Sequence, residues 1–253
     1  MSCYGPLAQW YDQLTGDVSY EDFADLYEQL FRRESGEFHT LLDLACGTGT
    51  LTSIMTRRGY EMIAVDSSED MLLQAREKAA GLSPAPLYLM QDAEELDLYG
   101  TVDACYCSLD GMNYIPQDSV PEVFHRLQFF IRPGGLLIFD IRTPDFFRRL
   151  DGDIFVDENE DVLCLWRADF DEQLQAIIYG MDLFTKKGRL WSRDSEEHIE
   201  YVHEPSDLKE YLEKEGFYNI RIMEDCLESQ PDRLFIVANR SLEYGQDHQS
   251  HSC

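Results

Sequence analysis

Three acidic residues are the side chains of this sequence best placed to hold a polar ligand. Each lies within or directly after a short apolar run that reads as a strand: Asp43, Asp66 and Asp92. A carboxylate offers two acceptor oxygens, so it can receive two neighbouring hydroxyl groups. If the three runs are parallel strands, their carboxyl ends meet at one edge of a sheet, and the carboxylates meet there too. The chemistry expected at that edge is the binding of a nucleoside-like ligand.

A glycine turn follows the first of these runs. The sequence LLDLACGTGT at residues 41–50 reads as a strand, a tight turn and the start of a helix over residues 51–58. Glycine at positions 47 and 49 removes the Cβ atoms that would keep a ligand from the backbone, and the helix start offers unpaired N–H groups. A dinucleotide fingerprint would place a third glycine where this chain has Thr52, and a phosphate-binding loop needs a lysine, which the first 77 residues lack. Both phosphate-binding interpretations are therefore weakened.

The residues after the second and third runs complete a pattern. VDSSEDML at residues 65–72 offers Ser67 or Ser68 as a helix cap with acids in the first turn, and QDA at residues 91–93 follows the third run. Together with D-x-A-x-G-x-G at residues 43–49, these segments resemble the motifs of class I S-adenosylmethionine (SAM) methyltransferases. Each acid taken alone has a plainer interpretation as a strand-end residue, a helix cap or a loop residue. Three of them in this order make coincidence unexpected.

The resemblance implies which residues hold SAM. In that family the glycine turn holds the amino-acid end of SAM, and the acidic strand residue contributes to its charge balance. The acid after the second strand accepts the ribose hydroxyls, and the acid after the third strand, with the residue that follows it, holds the adenine edge. The SAM-binding residues expected here are Tyr11, Asp43, Ala45, Cys46, Gly47, Gly49, Asp66, Ser67, Met71, Asp92, Ala93 and Leu109.

The chain also resembles one branch of the family over residues 4–240, mostly small-molecule methylators and uncharacterised bacterial relatives with an antiparallel insertion over the substrate pocket. Tyr11-Asp12 resembles a YD-type segment that folds over the SAM site, and DGMNYI at residues 110–115 resembles a D-x-L-N-Y-like loop. Close relatives often have an arginine where this chain has Tyr201, so a substrate inferred through that arginine does not transfer. The substrate-binding residues expected from this resemblance are Asp110, Asn113, Tyr114, Trp166, His198 (of the pair Glu197-His198) and Tyr201.

Methyl transfer from a sulfonium is an in-line displacement in which charge disappears, so positioning and exclusion of water can supply most of the acceleration. No dedicated catalytic residue is strictly required. A hydroxyl or ammonium acceptor would need a base, for which location alone favours His198, Asp110 and Tyr11. A single histidine in a strand is more often structural.

Strands that alternate with helices predict an α/β fold, a doubly wound, seven-stranded, mostly parallel sheet of the Rossmann-like type with an inserted antiparallel β lid. We expect a SAM-binding core with an N-terminal helical cap at residues 1–149, the lid at 150–204, completion of the core at 205–240 and a disordered tail at 241–253. Within this plan, residues 132–135 are expected to form a turn before a strand at 136–141. Lys187-Gly188 is expected to be a hairpin turn.

The composition excludes some partners. The 253 residues carry a net charge of −28, from 21 basic and 49 acidic residues, so nucleic acid is disfavoured as a substrate. Residues 151–204 contain 15 acidic and 5 basic residues, which is typical of a solvated surface or, alternatively, steers a cationic substrate. The seven scattered cysteines show no metal or disulfide spacing, so no metal site is expected. Without an 18-residue apolar run or a signal-like N-terminus, the chain is predicted to be cytoplasmic, off the membrane, and a monomer or homodimer.

The sequence therefore predicts a SAM-dependent methyltransferase that transfers a methyl group in line to a small-molecule acceptor. Three alternatives stay open. One is a methyltransferase for RNA or protein within a complex whose partner supplies the positive charge. The second is a SAM-binding regulatory protein without turnover, and the third is a nicotinamide enzyme.

Overall fold

The computed structural model describes residues 4–16, 18–224 and 226–242. The strands of this part of the chain are β1 (Thr40–Leu44), β2 (Glu61–Asp66), β3 (Leu87–Met90), β4 (Val102–Cys107), β5 (Ile131–Arg142), β6 (Ile154–Glu158), β7 (Val162–Asp171), β8 (Ala176–Lys187), β9 (Leu190–Tyr201), β10 (Phe217–Met223) and β11 (Arg233–Arg240). The α-helices are α1 (Tyr11–Leu14), α2 (Tyr20–Phe31), α3 (Thr50–Arg57), α4 (Glu69–Lys78), α5 (Val120–Phe130), α6 (Pro144–Arg149) and α7 (Pro205–Lys214). Short 3₁₀ helices cover Ala93–Glu95, Gly111–Tyr114 and Gln117–Ser119.

Seven strands form one sheet in the order β10-β11-β5-β4-β1-β2-β3. Strands β1 to β5 pair in parallel, and β11 is antiparallel to both β5 and β10. This confirms the predicted Rossmann-like sheet. Because the parallel strands share one direction, the carboxyl ends of β1, β2, β3 and β4 lie at one edge, where ligands of such sheets bind.

The central strands are buried on both faces, as expected for a parallel sheet covered by helices. Successive side chains of a strand point to opposite faces. Accordingly, Leu42 and Leu44 of β1 pack in one core with α5 and α7, whereas Leu41 packs in the other with α2 and α3. Cys105 and Cys107 are both buried in the first of these cores. The two cores fix the sheet between two layers of helices.

A second sheet of four antiparallel strands lies between α6 and α7 in the chain, in the order β6-β7-β8-β9. Its long hairpin closes at residues 188–189, because Lys187 pairs with Leu190 as the last pair of the ladder. The predicted turn at Lys187-Gly188 is therefore one residue early. Gly188, with φ of +68°, supplies the left-handed conformation of this turn. The use of residues 150–204 as a lid stays a prediction.

One further prediction needs correction, and one helix was not predicted. Residues 132–135 are not a turn, since β5 begins at Ile131 and runs through them. The pairing of β4 with β5 shifts register there, and a Cβ on Gly135 would come within 2.6 Å of the Asp103 carbonyl oxygen, so glycine allows two backbones to meet. Helix α6, whose first turn is capped by the Thr143 side chain, was not predicted. The N-terminal cap is helical only in α1 and α2, and of the predicted tail, residues 243–253 lie outside the described residues.

Within the described part of the chain, no helix is long and apolar enough to cross a membrane. The same residues contain no group of three or more His, Cys, Asp or Glu side chains arranged to hold a metal ion.

Candidate active site

A cavity of about 390 Å³ opens at the carboxyl edge of the parallel sheet. It is lined by the loop after β1, the ends of β2 and β3, the loop after β4 and the N-terminal residues. The structure brings ten of the predicted SAM-binding residues to its walls: Tyr11, Asp43, Ala45, Cys46, Gly47, Asp66, Ser67, Met71, Asp92 and Leu109. Ala93 lines a smaller adjoining pocket, which shares Asp66, Ser67 and Asp92 with the first cavity. Four separate loops therefore converge on one concave site.

The glycine loop turns through left-handed backbone at residues 45, 47 and 49. A Cβ built on Gly47 would meet no atom within 4 Å, so this glycine leaves open space above the loop. Its N–H donates a hydrogen bond of 2.8 Å to Oδ2 of Asp66. The loop after β1 is thereby tied to the end of β2.

Gly49 has a different role from the one predicted. It does not line the cavity, and a Cβ there would lie 2.8 Å from Ala75 Cβ and 3.1 Å from the Tyr88 hydroxyl. The expectation that its missing Cβ makes room for a ligand is wrong. Gly49 lets α3 pack closely against α4, with a φ of +67° that favours glycine.

Asp43 is a buried carboxyl group, 2% exposed, at the floor of the cavity. Its Oδ2 accepts hydrogen bonds from Thr52 Oγ1 at 2.5 Å and from the Tyr106 hydroxyl at 3.2 Å. Burial raises the pKa of Asp43 to about 7, although these hydrogen bonds oppose the shift. Thr52 stands where a dinucleotide fingerprint would have its third glycine. Here it is a hydrogen-bond donor to Asp43.

Asp66 and Asp92 are held by backbone N–H groups. Oδ1 of Asp66 accepts from the Ser68 N–H at 2.8 Å, while its Oδ2 accepts from Gly47. Burial raises the pKa of Asp66, and the backbone hydrogen bonds limit the rise. Ser68 also caps α4 by accepting from the Met71 N–H at 3.3 Å, as predicted. Asp92 accepts from the Glu94 N–H at 3.3 Å. Each carboxylate keeps lone pairs for a ligand while its direction is fixed.

Residues 4–16, called here the N-terminal strap, form the outer wall of the cavity through Tyr4 and Tyr11. One end is tied to the core. Asp12 forms an ion pair of 2.6 Å with Lys78, and its Oδ1 accepts a hydrogen bond of 2.6 Å from the Thr48 hydroxyl. The other end is tied to the second sheet, since the Leu7 N–H donates to Glu196 Oε1 at 3.0 Å. The strap therefore joins both sheets across the site.

A second cavity, of about 780 Å³, adjoins the first. The two cavities share four lining residues: Tyr4, Tyr11, Leu109 and Tyr114. The second sheet supplies much of the rest of the lining, including Trp166, Tyr179 and Glu200. The Trp166 ring is held in place by an Nε1–H hydrogen bond of 3.0 Å to Asp157.

A buried ion-pair network forms part of the wall of the second cavity. Arg233 pairs with Asp110 at 2.8 Å and with Asp140, and Arg142 Nε lies 3.5 Å from Asp110. Asp140 also accepts from the N–H groups of Leu109, at 2.8 Å, and Asp110, at 3.1 Å. These bonds hold the loop after β4, whose residues 109 and 110 both have positive φ.

Asp110 is therefore a poor candidate for the catalytic base, contrary to the prediction from the sequence. Burial raises its pKa, but the charges of Arg233 and Arg142 outweigh burial and hold the pKa below its ordinary value. A carboxylate with a lowered pKa and two arginine partners is a weak proton acceptor. Tyr11 lines both cavities, but burial holds its pKa well above the ordinary value, so it remains protonated at neutral pH.

Of the predicted substrate-binding residues, Asp110, Tyr114 and Trp166 line the second cavity. Asn113 does not, because it is fully buried and its side chain bonds the Tyr201 carbonyl oxygen and the Arg142 N–H. Tyr201 lines neither cavity. His198 is 1% exposed, also lines neither cavity, and packs its ring 4.5 Å from that of Tyr4. Its contact with a substrate stays a prediction.

Among the residues of the second cavity that sequence reasoning missed are four polar ones: Arg142, Tyr179, Glu200 and Arg233. The arginines come from β5 and β11, which no local motif connects. A signal for Glu200 did exist, because it stands two residues after His198 in β9 and therefore on the same face of the strand.

The fold and the site define the class of protein. Residues 41–135 match a family described as a methyltransferase domain, and these residues run from β1 through β5 past the glycine loop and all three strand-end acids. The chain is a class I SAM-dependent methyltransferase, and SAM is its cofactor.

Individual relatives agree over nearly the whole chain. The "Putative methyltransferase YqeM" of Bacillus subtilis (strain 168) is 29% identical over 245 residues, which cover 94% of this chain and 97% of that protein. The crystal structure of a SAM-dependent methyltransferase from Clostridium acetobutylicum ATCC 824 is 28% identical and superposes with a TM-score of 0.82, covering 95% of this chain and 100% of that one. The sugar N-methyltransferase KedS8 from Streptoalloteichus sp ATCC 53650 shares the fold, with a TM-score of 0.80 at 21% identity over 95% of this chain and 97% of that one.

Proposed function

We propose that this methyltransferase acts on a small-molecule acceptor bound in the second cavity. The observation that carries the proposal is the common wall: the cavity of about 780 Å³ shares Tyr4, Tyr11, Leu109 and Tyr114 with the cavity at the glycine loop. A volume of this size is typical of small-molecule sites. A donor and an acceptor in the two cavities would meet at those four residues.

The first cavity fits SAM by the chemistry of its walls. In this proposal the open backbone at Gly47 takes the amino-acid end of SAM, and Asp43 balances its positive charge. Asp66, aimed by two backbone N–H groups, accepts the ribose hydroxyls. Asp92 and Ala93 hold the adenine edge beside Ser67 and Met71. Bound SAM supplies an electrophilic methyl group.

The chain's part in the reaction is then to orient the acceptor and exclude water. The N-terminal strap and residues 150–204, which we infer to be the lid, close the two cavities from outside. Displacement at a sulfonium needs the acceptor atom in line with the carbon–sulfur bond, and a dry, rigid site favours that alignment. Aromatic rings in the walls supply the rigidity.

Nucleic acid and protein acceptors fit less well. The second sheet and its loops contain three times as many acidic as basic residues, which repels a phosphate backbone. A flat macromolecular surface would also not fill a cavity that reaches Glu200 and Arg233 at its buried end. The sugar N-methyltransferase of the same fold acts on a small molecule, in agreement with the proposal.

The first test of the site measures SAM binding by isothermal titration calorimetry. Asp66→Ala is expected to weaken SAM binding by about 1–3 kcal/mol, the scale of hydrogen bonds to a charged acceptor. The matched control is Asp70→Ala, which changes an exposed acid of α4 that does not line the cavity. Equal affinity in the two variants would leave Asp66 without a role in SAM binding.

The second test measures acceptor-dependent conversion of SAM to S-adenosylhomocysteine. An extract of the cells that naturally produce this protein is passed through a filter that retains protein and nucleic acid. The small molecules that pass the filter are expected to support turnover. Tight SAM binding with turnover only in the retained macromolecular fraction would support the RNA or protein alternative. Tight binding with no turnover in either fraction would support a non-catalytic role.

A further inference from the structure

Glu200 of β9 is a buried carboxyl group that the preceding mechanism does not use. It is 6% exposed and lines the second cavity. Its Oε2 atom is buried and has no hydrogen-bond partner among the described residues. Burying a carboxylate oxygen without a partner is costly, so such a group is favoured where a ligand completes it.

When Glu200 is ionised, the charges around it leave the site short of one cation. Three carboxyl groups, those of Asp110, Asp140 and Glu200, face only two guanidinium groups, those of Arg142 and Arg233. Arg233 is already shared between the two aspartates, and Arg142 stacks on the Phe146 ring with its Cζ 4.5 Å from the ring centroid. A negatively charged acceptor would add a fourth negative charge, whereas a cation would balance the third.

Aromatic rings surround the same space. Tyr4, Tyr114, Trp166 and Tyr179 all line the second cavity. The Trp166 and Tyr179 rings meet edge to face at 6.4 Å, and the Tyr4 and Tyr114 rings meet at 5.8 Å. Faces of aromatic rings attract ammonium groups. The aromatic walls therefore also favour a positively charged acceptor.

Glu200 also lies near the wall that the two cavities share. Its charge contributes to the raised pKa of Tyr4, Tyr11 and Tyr114, after the larger effect of burial. All three tyrosines belong to the shared wall. A group bound to Glu200 would thus stand beside the place where donor and acceptor meet.

We propose that the methyl acceptor is an amine that enters as its ammonium ion, and that Glu200 is the catalytic residue that accepts its proton. The inference rests on the proposed small-molecule function and names the acceptor class and the base. In the step, one ammonium proton passes to the Glu200 carboxylate and frees the nitrogen lone pair. The lone pair forms the nitrogen–carbon bond as the carbon–sulfur bond breaks, and that bond pair stays on sulfur. The products are a methylated ammonium ion and S-adenosylhomocysteine, and Glu200 releases the proton to water.

The titration of Glu200 suits this role. Burial and, less strongly, the charge of Asp110 raise the pKa of Glu200 to about 8, against the opposing charges of Arg142 and Arg233 and a hydrogen bond with Tyr114. Tyr4 of the strap and Tyr179 of β8 face the same space. A base with a pKa near the working pH is the efficient choice for proton transfer. An ammonium ion beside Glu200 would stabilise the ionised form and prepare it to accept the proton.

The acceptor class is tested with trideuteromethyl-labelled SAM and the small-molecule extract. One portion is treated with acetic anhydride first, which caps primary and secondary amines as amides. We expect a labelled product that fragments as an N-methyl amine and that disappears after capping. A labelled ester, ether or thioether would overturn the inference while leaving the small-molecule function intact, and a labelled N-methyl product that survives capping would assign a tertiary amine as the acceptor. Absence of any labelled product would defeat the proposed function itself, and the inference with it.

The base is tested with Glu200→Gln and the amine identified in that way. At pH 7 we expect kcat to fall about 10²- to 10⁴-fold, the range for loss of a general base, with SAM affinity unchanged. The rate of the variant should recover as pH approaches the pKa of the amine, because free amine then needs no base. The control Glu158→Gln makes the same change at an exposed residue of the second sheet that does not line the cavity.

Thermal unfolding of both variants checks their folding, and removal of a buried carboxyl group is not expected to lower stability. If Glu200→Gln matches Glu158→Gln in kcat at pH 7, Glu200 is not the base. If its kcat falls but does not recover at high pH, Glu200 acts only in holding the cavity together, and the assignment also fails.

Discussion

The Nζ atom of Lys78 lies 2.6 Å from Oδ2 of Asp12, so the last turn of α4 holds the N-terminal strap over the glycine loop. Lys78 also donates to the hydroxyl groups of Thr48, at 2.9 Å, and Thr50. One ammonium group therefore connects the strap, the loop and a helix of the core. Lys78 is the first lysine of the chain, and it lies outside the stretch in which a phosphate-binding lysine would occur.

This connection predicts that Lys78→Met loosens the strap. Because the Asp12 side chain is 44% exposed, the ion pair is worth only about 1 kcal/mol, or about a fivefold loss of SAM affinity with faster dissociation. Stopped-flow and calorimetric measurements of SAM binding check this. Lys209→Met is the control, since that exposed lysine only approaches Glu213 at 3.9 Å. In a double-mutant cycle, Asp12→Asn should add little to Lys78→Met, and fully additive effects would show that the strap is held elsewhere.

The two loop glycines should separate stability from binding. Gly49→Ala would push a Cβ against Ala75 and force a side chain onto positive φ, so we expect about 1–3 kcal/mol of destabilisation. Gly47→Ala meets open space in the protein and should cost only about 1 kcal/mol of backbone strain. Its Cβ would instead occupy ligand space and weaken SAM binding about tenfold or more. Urea unfolding and calorimetry measure both quantities, and the opposite pattern would reverse the assigned roles.

SAM affinity should depend on pH through Asp43. Its pKa is raised to about 7 in the folded protein, so below that pH most molecules carry a neutral Asp43. A cationic ligand binds the ionised carboxylate more tightly, so binding releases a proton there. Affinity should therefore rise with pH, by at most about tenfold per unit, and level off above about pH 7.

Calorimetry in two buffers of different ionisation enthalpy measures the released proton. Asp43→Asn keeps a hydrogen-bond acceptor for Thr52 but has no proton to release, so its titration should lack this component. A wild-type pH dependence that persists in the variant would assign the proton to SAM or to another residue.

Arg233 should be a main determinant of stability. Removing it leaves the carboxyl groups of Asp110 and Asp140 buried with one guanidinium partner lost, which typically costs about 3–5 kcal/mol. Urea unfolding of Arg233→Leu tests this expectation. The control is Arg149→Leu, because Arg149 pairs at 2.8 Å with Asp232 on the surface, where such a pair contributes little. Similar losses in both variants would mean that the buried network does not stabilise the fold.

The walls of the first cavity could be predicted because their residues sit at fixed places in a repeating unit. Asp43 and Asp66 lie in the strands β1 and β2, and Asp92 follows β3, so the strand pattern alone places the three acids at one edge. The glycine loop is continuous in sequence. Local rules of turns, caps and alternation were sufficient there.

The lining of the second cavity could not be predicted in the same way. Arg142, Glu200 and Arg233 come from the ends of β5, β9 and β11, and only the packing of two sheets brings them together. For Asn113, the local sequence suggested a cavity residue where the structure has a buried one. It lies in a loop that resembles a substrate segment, yet its amide bonds the backbone of β9 and β5 and is buried.

If SAM and the acceptor occupy the two cavities as proposed, the four residues common to both cavities are the place where the binding of one ligand can affect the other. Tyr4 and Tyr11 belong to the N-terminal strap, which is held by contacts of Asp12 and Glu196. A shift of the strap caused by one ligand would therefore change the wall that the other ligand contacts. By linkage, any factor by which SAM strengthens acceptor binding is returned equally by the acceptor to SAM. S-adenosylhomocysteine, which contacts the same wall without the sulfonium charge, then loses part of that mutual gain. Methyl transfer itself would therefore weaken the binding of both products.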